Sequence, residues 1–238
     1  MKPLIIFKVG STFEHLAAEI GDFEQWIIQG LGFSPITTKI VDPRLNELLP
    51  DPSRIAGAII TGSHSMVSDR EPWSEALADW IVTATANNVP LLGICYGHQL
   101  LAHALGGIVD YHPSGLEIGT VAIELSPHAA NDPLFKDLPL HFPAHATHRQ
   151  TVIKLPENSV LLAKNAFEPH HAFRIGENAW GVQFHPEFNE AAMRCYIQYR
   201  CEDWQKTAAL LDQVVETSES AQLLKKFAEV LSVASQPN

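Results

Sequence analysis

The first half of the chain alternates short apolar runs with stretches in which apolar residues recur every three or four positions. The apolar runs occupy residues 4–9 (LIIFKV), 55–60 (IAGAII) and 90–95 (PLLGIC). Continuous apolar runs of this length are typical of parallel strands that are buried on both faces. They therefore predict three central strands of one sheet.

Helical periodicity separates these runs. After Pro72, one helical face is formed by Trp73, Leu77, Trp80, Ile81 and Ala84. Residues 13–31 predict a helix that ends at Gly30 and Gly32, and residues 98–105 predict another that is closed by two glycines. The alternation of strands and helices favours a doubly wound α/β sheet.

The pattern changes between about residue 107 and residue 185. Strand-like segments joined by loops, some of them expected to be antiparallel, occupy residues 118–125, 160–164, 170–175 and 179–184. Residues 189–204 predict a helix with Asn189 as its N-cap. The tail carries a helical apolar stripe, which is expected to cover the core of the same domain; a surface for a partner is the alternative. The stripe consists of Leu223, Leu224, Phe227, Val230 and Leu231.

Charge and cysteine content narrow the possible functions. The 238 residues carry a net charge of −11 and have no dense cluster of Lys or Arg, which argues against a nucleic-acid or anionic-membrane surface. Cys95, Cys195 and Cys201 cannot all pair and do not have the spacing of a metal site. The N-terminal segment is too short, and too interrupted by Lys8, for a signal peptide or membrane span. A cytoplasmic protein with reduced thiols is expected.

The segment GICYGHQ places Cys95 between two glycines, where a predicted strand passes into a predicted helix. This context is typical of a nucleophile elbow, in which a sharp turn lifts a reactive side chain above the sheet. Gly93 and Gly97 avoid side chains that would collide in so tight a turn. The positive end of the helix favours the thiolate form of the cysteine. The pattern alone also fits a buried structural cysteine.

A nucleophilic cysteine needs a base, and the segment VQFHPE offers one. His185 ends an apolar strand, and Glu187 lies two positions further, on the same side of an extended backbone. Glu187 is therefore expected to hydrogen-bond one imidazole nitrogen and to leave the other facing the thiol. His98 is the weaker candidate, because it lies one turn into the elbow helix and a base must approach from across the pocket.

Catalysis at an acyl centre also needs donors for the developing oxyanion. The segment ITGSHSMV forms a glycine-containing turn after the second central strand, which a parallel sheet can place beside the elbow. The backbone N–H groups of Gly62 and of Tyr96, the residue directly after the nucleophile, are the predicted donors. His64 is predicted to lie on the rim of the pocket.

Taken in this order, these stretches resemble the class I, triad-type glutamine amidotransferases. TGSHSMVSDREPW is similar to the family's oxyanion strand and loop, and PLLGICYGHQLLAHALGGIV to its nucleophile elbow and helix. THRQTV is similar to its glutamine-pocket segment and AWGVQFHPEF to its His/Glu strand. Weaker similarity in LEIGTVAIEL and DPLFKDLP extends the resemblance over residues 55–190. Within the family, the chain resembles a stand-alone glutaminase-type domain and the amidotransferase domain of GMP synthase.

The resemblance, together with the strand–helix alternation, implies an α/β fold. We expect a three-layer flavodoxin-like sandwich with a mostly parallel central sheet and an additional small antiparallel strand region. We predict a single domain of this type over residues 1–238, in which residues 205–238 form a C-terminal helical extension.

The resemblance also implies a mechanism. Cys95 would attack the side-chain carboxamide carbon of glutamine while His185 manages the proton and Glu187 orients the histidine. Ammonia would leave, and water would hydrolyse the resulting thioester to glutamate. No metal and no organic cofactor are expected for this half-reaction.

The resemblance assigns substrate contacts as well. Gln99 matches a family position that contacts the bound glutamine, and His148 and Arg149 match the segment that closes over its α-substituents. Two positions depart from the family pattern. Thr61 precedes a single glycine where many members have a pair, which leaves a backbone donor in place. Gln150 stands where many members have an acidic residue, which changes a charge near the expected substrate ammonium.

Several functions remain compatible with these residues. Full amidotransferases deliver ammonia to a synthetase, and this sequence has no G-x-x-x-x-G-K-[ST] phosphate loop, so the protein is expected either to meet a separate synthetase subunit that accepts the ammonia or to act without one. The main alternative is a γ-glutamyl peptide hydrolase that uses the same Cys-His-Glu triad. A non-catalytic binding protein would have lost a triad residue, and the downstream HPE argues against the cysteine-elbow chaperone and deglycase group. The expected substrate is a small molecule, with no nucleic acid and no membrane as partner.

Overall fold

The computed structural model describes residues 2–32 and 37–234. The strands are β1 (Leu4–Phe7), β2 (Thr38–Val41), β3 (Gly57–Ile60), β4 (Leu91–Ile94), β5 (Ile108–Tyr111), β6 (Glu117–Leu125), β7 (His141–His148), β8 (Gln150–Lys154), β9 (Val160–Lys164), β10 (Ala172–Ile175) and β11 (Ala179–Val182). The helices are α1 (Glu14–Ile20), α2 (Phe23–Leu31), α3 (Pro72–Ala86), α4 (Tyr96–Ala104), α5 (Glu190–Arg200), α6 (Trp204–Asp212) and α7 (Ser218–Ala234).

One large sheet carries most of the strands, in the order β2-β1-β3-β4-β11-β10-β9-β6-β7. Its first five members are parallel neighbours, whereas β11, β10, β9, β6 and β7 pair antiparallel. Strands β5 and β8 form a separate two-stranded antiparallel sheet. The predicted α/β flavodoxin-like fold is confirmed, and its antiparallel part includes four strands of the main sheet as well as the small one.

The sheet is covered on both faces, as its continuous apolar strands require. One face packs against α3 and α4, through residues such as Leu77, Ile81 and Leu100. The other face packs against α2 and α7. Leu223, Leu224, Phe227 and Leu231 of the predicted tail stripe are fully buried there, and Val230 packs against them, so the stripe covers the core of the chain itself. This packing is expected if residues 205–238 are a helical extension of a single domain. That assignment stays a prediction, and residues 235–238 lie outside the described ranges.

The single helix predicted over residues 13–31 is wrong, because this stretch contains two helices. α1 ends before Gly21, whose φ of +92° a helix does not allow, and Asp22 then caps α2 in a capping box with Gln25. Gly30 does not end α2 but lies inside it. A Cβ on this residue would lie 2.3 Å from Leu224 Cδ1, so Gly30 permits the close approach of α7.

The helix predicted over residues 189–204 begins as expected and ends early. The Asn189 side chain accepts a hydrogen bond from Ala192 N at the start of α5. The helix stops at Arg200 because Cys201 is extended, and Asp203 caps the next helix. Among the helices of the described ranges, none combines the length and the apolarity that crossing a bilayer requires.

Candidate active site

Cys95 sits in a strained turn at the junction of β4 and α4. Its backbone has φ +51° and ψ −98°, a conformation that side-chain-bearing residues rarely adopt. A Cβ on Gly93 would lie 2.3 Å from Gly97 O, and a Cβ on Gly97 would lie 2.4 Å from Ile60 O. The two glycines therefore allow the turn to form against β3. The local geometry is that of a nucleophile elbow at the carboxyl edge of the parallel strands.

His185 and Glu187 form a buried pair beside this turn. Nδ1 of His185 lies 2.8 Å from Oε1 of Glu187, and both side chains are buried. The strand that leads to them is shorter than predicted and ends at Val182. The two side chains therefore meet across a turn, in which Phe188 N donates to His185 O, and not along an extended strand. Phe188 stacks on the imidazole at a centroid distance of 4.1 Å, which fixes the plane of the ring.

Cys95, His185 and Gly62 converge on one point. A Cβ on Gly62 would lie 3.1 Å from His185 Cε1 and 3.8 Å from Cys95 Cβ. Nε2 of His185 has no hydrogen-bond partner within the described part of the chain. It is therefore free for proton transfer in the pocket that Cys95 and His185 both line.

The electrostatics of this pair favour an ionised state. Burial, the largest influence, raises the pKa of Cys95, but the charges of His185 and His148 lower it below the usual thiol value. Burial lowers the pKa of His185, and the charges of Glu187 and Cys95 outweigh it, raising the pKa of His185 to about 10. A thiolate beside an imidazolium is the state that both directions support.

The two predicted oxyanion donors belong to Tyr96, which follows Cys95 directly, and to Gly62, on which a Cβ would lie 3.8 Å from Cys95 Cβ. Tyr96 is the first residue of α4, so its N–H has no carbonyl partner in the preceding turn of helix. Gly62 follows β3, and the hydroxyl of Thr61 donates to Gly62 O at 2.9 Å while accepting from Val9 N. Thr61, which sequence analysis treated only as a departure from the family pattern, thus holds the peptide on the carbonyl side of Gly62.

The predicted substrate contacts occupy the pocket in different ways. Gln99 lines it, but its amide nitrogen donates to Gln150 O at 2.8 Å and to Gln183 Oε1 at 3.0 Å. His148 also lines it, yet its two ring nitrogens lie 2.8 Å from Glu117 Oε2 and 2.9 Å from Gln150 O. Arg149 is exposed at the rim. The side chains of Gln99 and His148 are therefore both hydrogen-bonded to the backbone of the pocket wall at Gln150.

Behind this wall lies a buried polar cluster that sequence analysis missed apart from His148. Glu117 accepts from Asn165 Nδ2 at 2.8 Å, and His171 Nε2 lies 3.2 Å from the same carboxylate. Glu168 is fully buried 4.0 Å from His148. Burial opposes ionisation of Glu117, but its hydrogen bonds and the charges of the two histidines lower its pKa well below the usual range. Burial also opposes ionisation of His148, and Glu117 raises its pKa above the usual value.

The opposite rim is built by α5, whose role in the site had no signal in the sequence. Tyr196 and Arg200 line the pocket, and the guanidinium lies 5.8 Å from the centroid of the tyrosine ring. The Tyr196 hydroxyl contacts Thr12 Oγ1 and His64 Nε2, each at 3.1 Å. His64 lies on the rim, as predicted, where part of the residue is open to solvent while its ring packs against Phe13 and Tyr196. Burial and the charge of Arg200 lower the pKa of His64 to about 4, so its ring is neutral at neutral pH.

In a comparison with known protein families, residues 19–200 match the family described as glutamine amidotransferase class-I. The glutamine-hydrolyzing GMP synthase of Thermosipho africanus is 35% identical over 133 residues, which are 56% of this chain and 24% of that protein. The corresponding enzyme of Porphyromonas gingivalis is 35% identical over 170 residues, which are 66% of this chain and 32% of that protein. The matches thus span between about a quarter and a third of these relatives.

Solved structures share the fold over the whole chain. A glutamine amidotransferase from Thermotoga maritima superposes with a TM-score of 0.76 at 21% identity, covering 99% of each chain. One from Methylobacillus flagellatus gives a TM-score of 0.77 at 21% identity, covering 100% of this chain and 97% of that chain. At this level of identity, the likeness establishes the fold alone.

Proposed function

The chain belongs to the class-I glutamine amidotransferase family, and from that premise we propose that it is a thioester-forming hydrolase of the glutamine side-chain amide. The observation that carries this proposal is the convergence of Cys95, His185 and Gly62, with Glu187 bound to the far nitrogen of the imidazole. A positioned nucleophile, a base with one free nitrogen and backbone donors are the parts that acyl transfer requires.

The proposed first half of the reaction forms the thioester. The Cys95 thiolate attacks the carboxamide carbon, and the carbonyl π electrons move to oxygen, where the N–H groups of Gly62 and Tyr96 stabilise the negative charge. The imidazolium of His185 gives its Nε2 proton to the amide nitrogen. The carbon–nitrogen bond then breaks, ammonia leaves, and the γ-glutamyl group remains on the sulfur.

The second half restores the enzyme. Neutral His185 takes a proton from water, and the resulting hydroxide adds to the thioester carbon. The carbon–sulfur bond breaks as the second tetrahedral adduct collapses, which releases glutamate and regenerates the thiolate beside the imidazolium. Glu187 stabilises the cation whenever the proton resides on His185.

We further propose that the ammonia is consumed by a synthetase activity on another domain or chain. The curated relatives are GMP synthases of which the matched region forms only a part. No group other than the side chains and backbone donors described above is required for the half-reaction.

A second candidate is hydrolysis of a γ-glutamyl peptide bond by the same residues. The chemistry is identical up to the leaving group, which would be an amino acid or peptide instead of ammonia. The exposed Arg149 at the rim favours this candidate, because it offers a cation to a leaving group that carries a carboxylate.

The test is release of glutamate by the purified protein from L-glutamine and, in parallel, from a γ-glutamyl dipeptide. We expect Cys95→Ser to lower kcat by roughly 10⁴–10⁶-fold, the range for loss of a triad residue. Cys201→Ser, which alters a cysteine outside the pocket, is the matched control and should retain full activity. Release from the dipeptide alone would establish the peptidase, and release that Cys95→Ser does not change would refute both functions.

A further inference from the structure

The charge of the pocket is unbalanced. Two arginines, Arg149 and Arg200, line it, and among the described residues no aspartate or glutamate does. The chain as a whole is acidic, with 27 Asp and Glu against 16 Lys and Arg. The cationic mouth is therefore a local arrangement that runs against the composition of the protein.

The two arginines also lack partners of their own. Within the described ranges, neither lies within 4.0 Å of a carboxylate, whereas four others do: Arg44, Arg70, Arg174 and Arg194. Arg200 is half-buried and lies over the ring of Tyr196, whose hydroxyl is itself hydrogen-bonded. A half-buried guanidinium without a counter-ion is suited to bind an anion in a substrate.

One acidic side chain near this rim of the pocket is bound to other groups of the protein. Asp22, whose charge reaches His64, does not line the pocket and instead binds Lys8 and Thr12 N. Gln150 does line it, with a neutral side chain that is tied to Ser68 by two hydrogen bonds. The pocket wall therefore offers no carboxylate to a substrate cation.

We propose that the preferred substrate is a γ-carboxamide that carries a carboxylate but no free ammonium group, such as glutamine acylated on its α-nitrogen. This proposal rests on the amide hydrolysis proposed above and narrows its substrate. Free glutamine brings one carboxylate that the arginines can bind and one ammonium that they repel. Removing the ammonium charge leaves the first interaction and abolishes the second.

The test compares three amides that differ only at the α-carbon. L-Glutamine has the ammonium group, glutaramate lacks it, and N-acetyl-L-glutamine has it neutralised by acylation. We expect kcat/KM for the two ammonium-free amides to exceed that for glutamine by about tenfold, the effect of one charge-assisted contact. A preference for glutamine by the same factor would overturn the proposal and leave amide hydrolysis standing.

Variants locate the preference in the pocket. Arg200→Gln should raise KM for the ammonium-free amides about tenfold. Arg54→Gln, which alters an exposed arginine without an ion pair outside the pocket, should change nothing. Gln150→Glu adds the missing carboxylate at nearly constant shape and should shift the preference back towards glutamine. An unchanged preference in both pocket variants would contradict the assignment of these side chains.

Alkylation of Cys95 by iodoacetamide, a neutral reagent, separates this proposal from the function on which it rests. Glutaramate should protect the thiol at lower concentration than glutamine does, whether or not either is hydrolysed. If no amide is turned over through Cys95, amide hydrolysis is refuted and the substrate assignment falls with it. If amides are turned over but glutamine protects best, only the charge selectivity is refuted.

Discussion

The two halves of the large sheet contribute to one pocket by different physical means. In the parallel half, the pocket is shaped mainly by the backbone. The backbone there consists of the strained turn at Cys95 and the peptide at Gly62, to which the Thr61 hydroxyl is hydrogen-bonded. In the antiparallel half, β6 and β7 place Glu117 and His148 inside the protein as a charged pair. We infer that the parallel half determines the reactivity of the Cys95 thiol, whereas the antiparallel half determines the shape and stability of the pocket wall.

Among the variants that compare the two halves, the largest effect is expected from the loss of a charge in the parallel half. Glu187→Gln preserves the shape of the side chain but removes the charge that raises the pKa of His185. We expect kcat to fall about 10²–10⁴-fold, because the imidazolium and the thiolate both lose their support. Alkylation of Cys95 should also require a higher pH. Glu190→Gln, at an exposed carboxylate on α5, is the control. Wild-type kcat with an unchanged alkylation profile would contradict this assignment.

The corresponding change in the antiparallel half should affect stability more than chemistry. Glu117→Gln removes the nearer of the two carboxylates beside the buried His148, and we expect a loss of about 3–5 kcal/mol in the free energy of unfolding. KM should rise, and kcat should change much less than in Glu187→Gln. Glu124→Gln, at an exposed carboxylate of the same strand, should be close to neutral. A kcat loss as large as that of Glu187→Gln would remove the distinction between the two halves.

The pH dependence of the free energy of unfolding of Glu117→Gln tests whether a negative Glu117 pairs with a positive His148. The pKa of Glu117 is lowered, so its contribution is complete above the ordinary carboxyl pKa and is lost as the pH falls. The pKa of His148 is raised, so its contribution is complete below about pH 6.5 and is lost as the pH rises. The difference in unfolding free energy between wild type and Glu117→Gln should therefore shrink above about pH 6.5. Urea unfolding at several pH values measures it, and a difference that grows with pH would contradict the pairing.

The smallest expected effect tests the strain in the elbow. Cys95→Gly should be more stable than Cys95→Ala by about 1 kcal/mol, because glycine accepts a φ of +51° without the penalty that a Cβ causes. At Cys195, inside α5, the order should reverse by about the same amount, since glycine is a poor helix former. Thermal unfolding of the four variants decides the matter. The same order at both positions would show that the turn is not strained.

The pattern of the sequence predicted the elements whose signal is local. The three apolar runs became β1, β3 and β4, with ends shifted by at most two residues, and the glycines around Cys95 stand where the turn needs them. The strands that were missed are those whose residues alternate or contain polar groups. β7 has the sequence HFPAHATH, in which a proline and three histidines interrupt the apolar pattern that predicts a strand. Most of its residues are nevertheless buried in the sheet.

The sequence by itself determined the class of fold, the family and the segments that carry Cys95, His185 and Glu187, because each rests on residues that are close in the chain. Only the tertiary structure decided that Glu117 pairs with His148, 31 positions away, and that Arg200 reaches the pocket from the end of α5. Local periodicity reports whether a residue faces the core, but it does not report which distant side chain it meets there. Which distant side chains meet depends on the order of strands in the sheet. The charge of the pocket depends on that order as well.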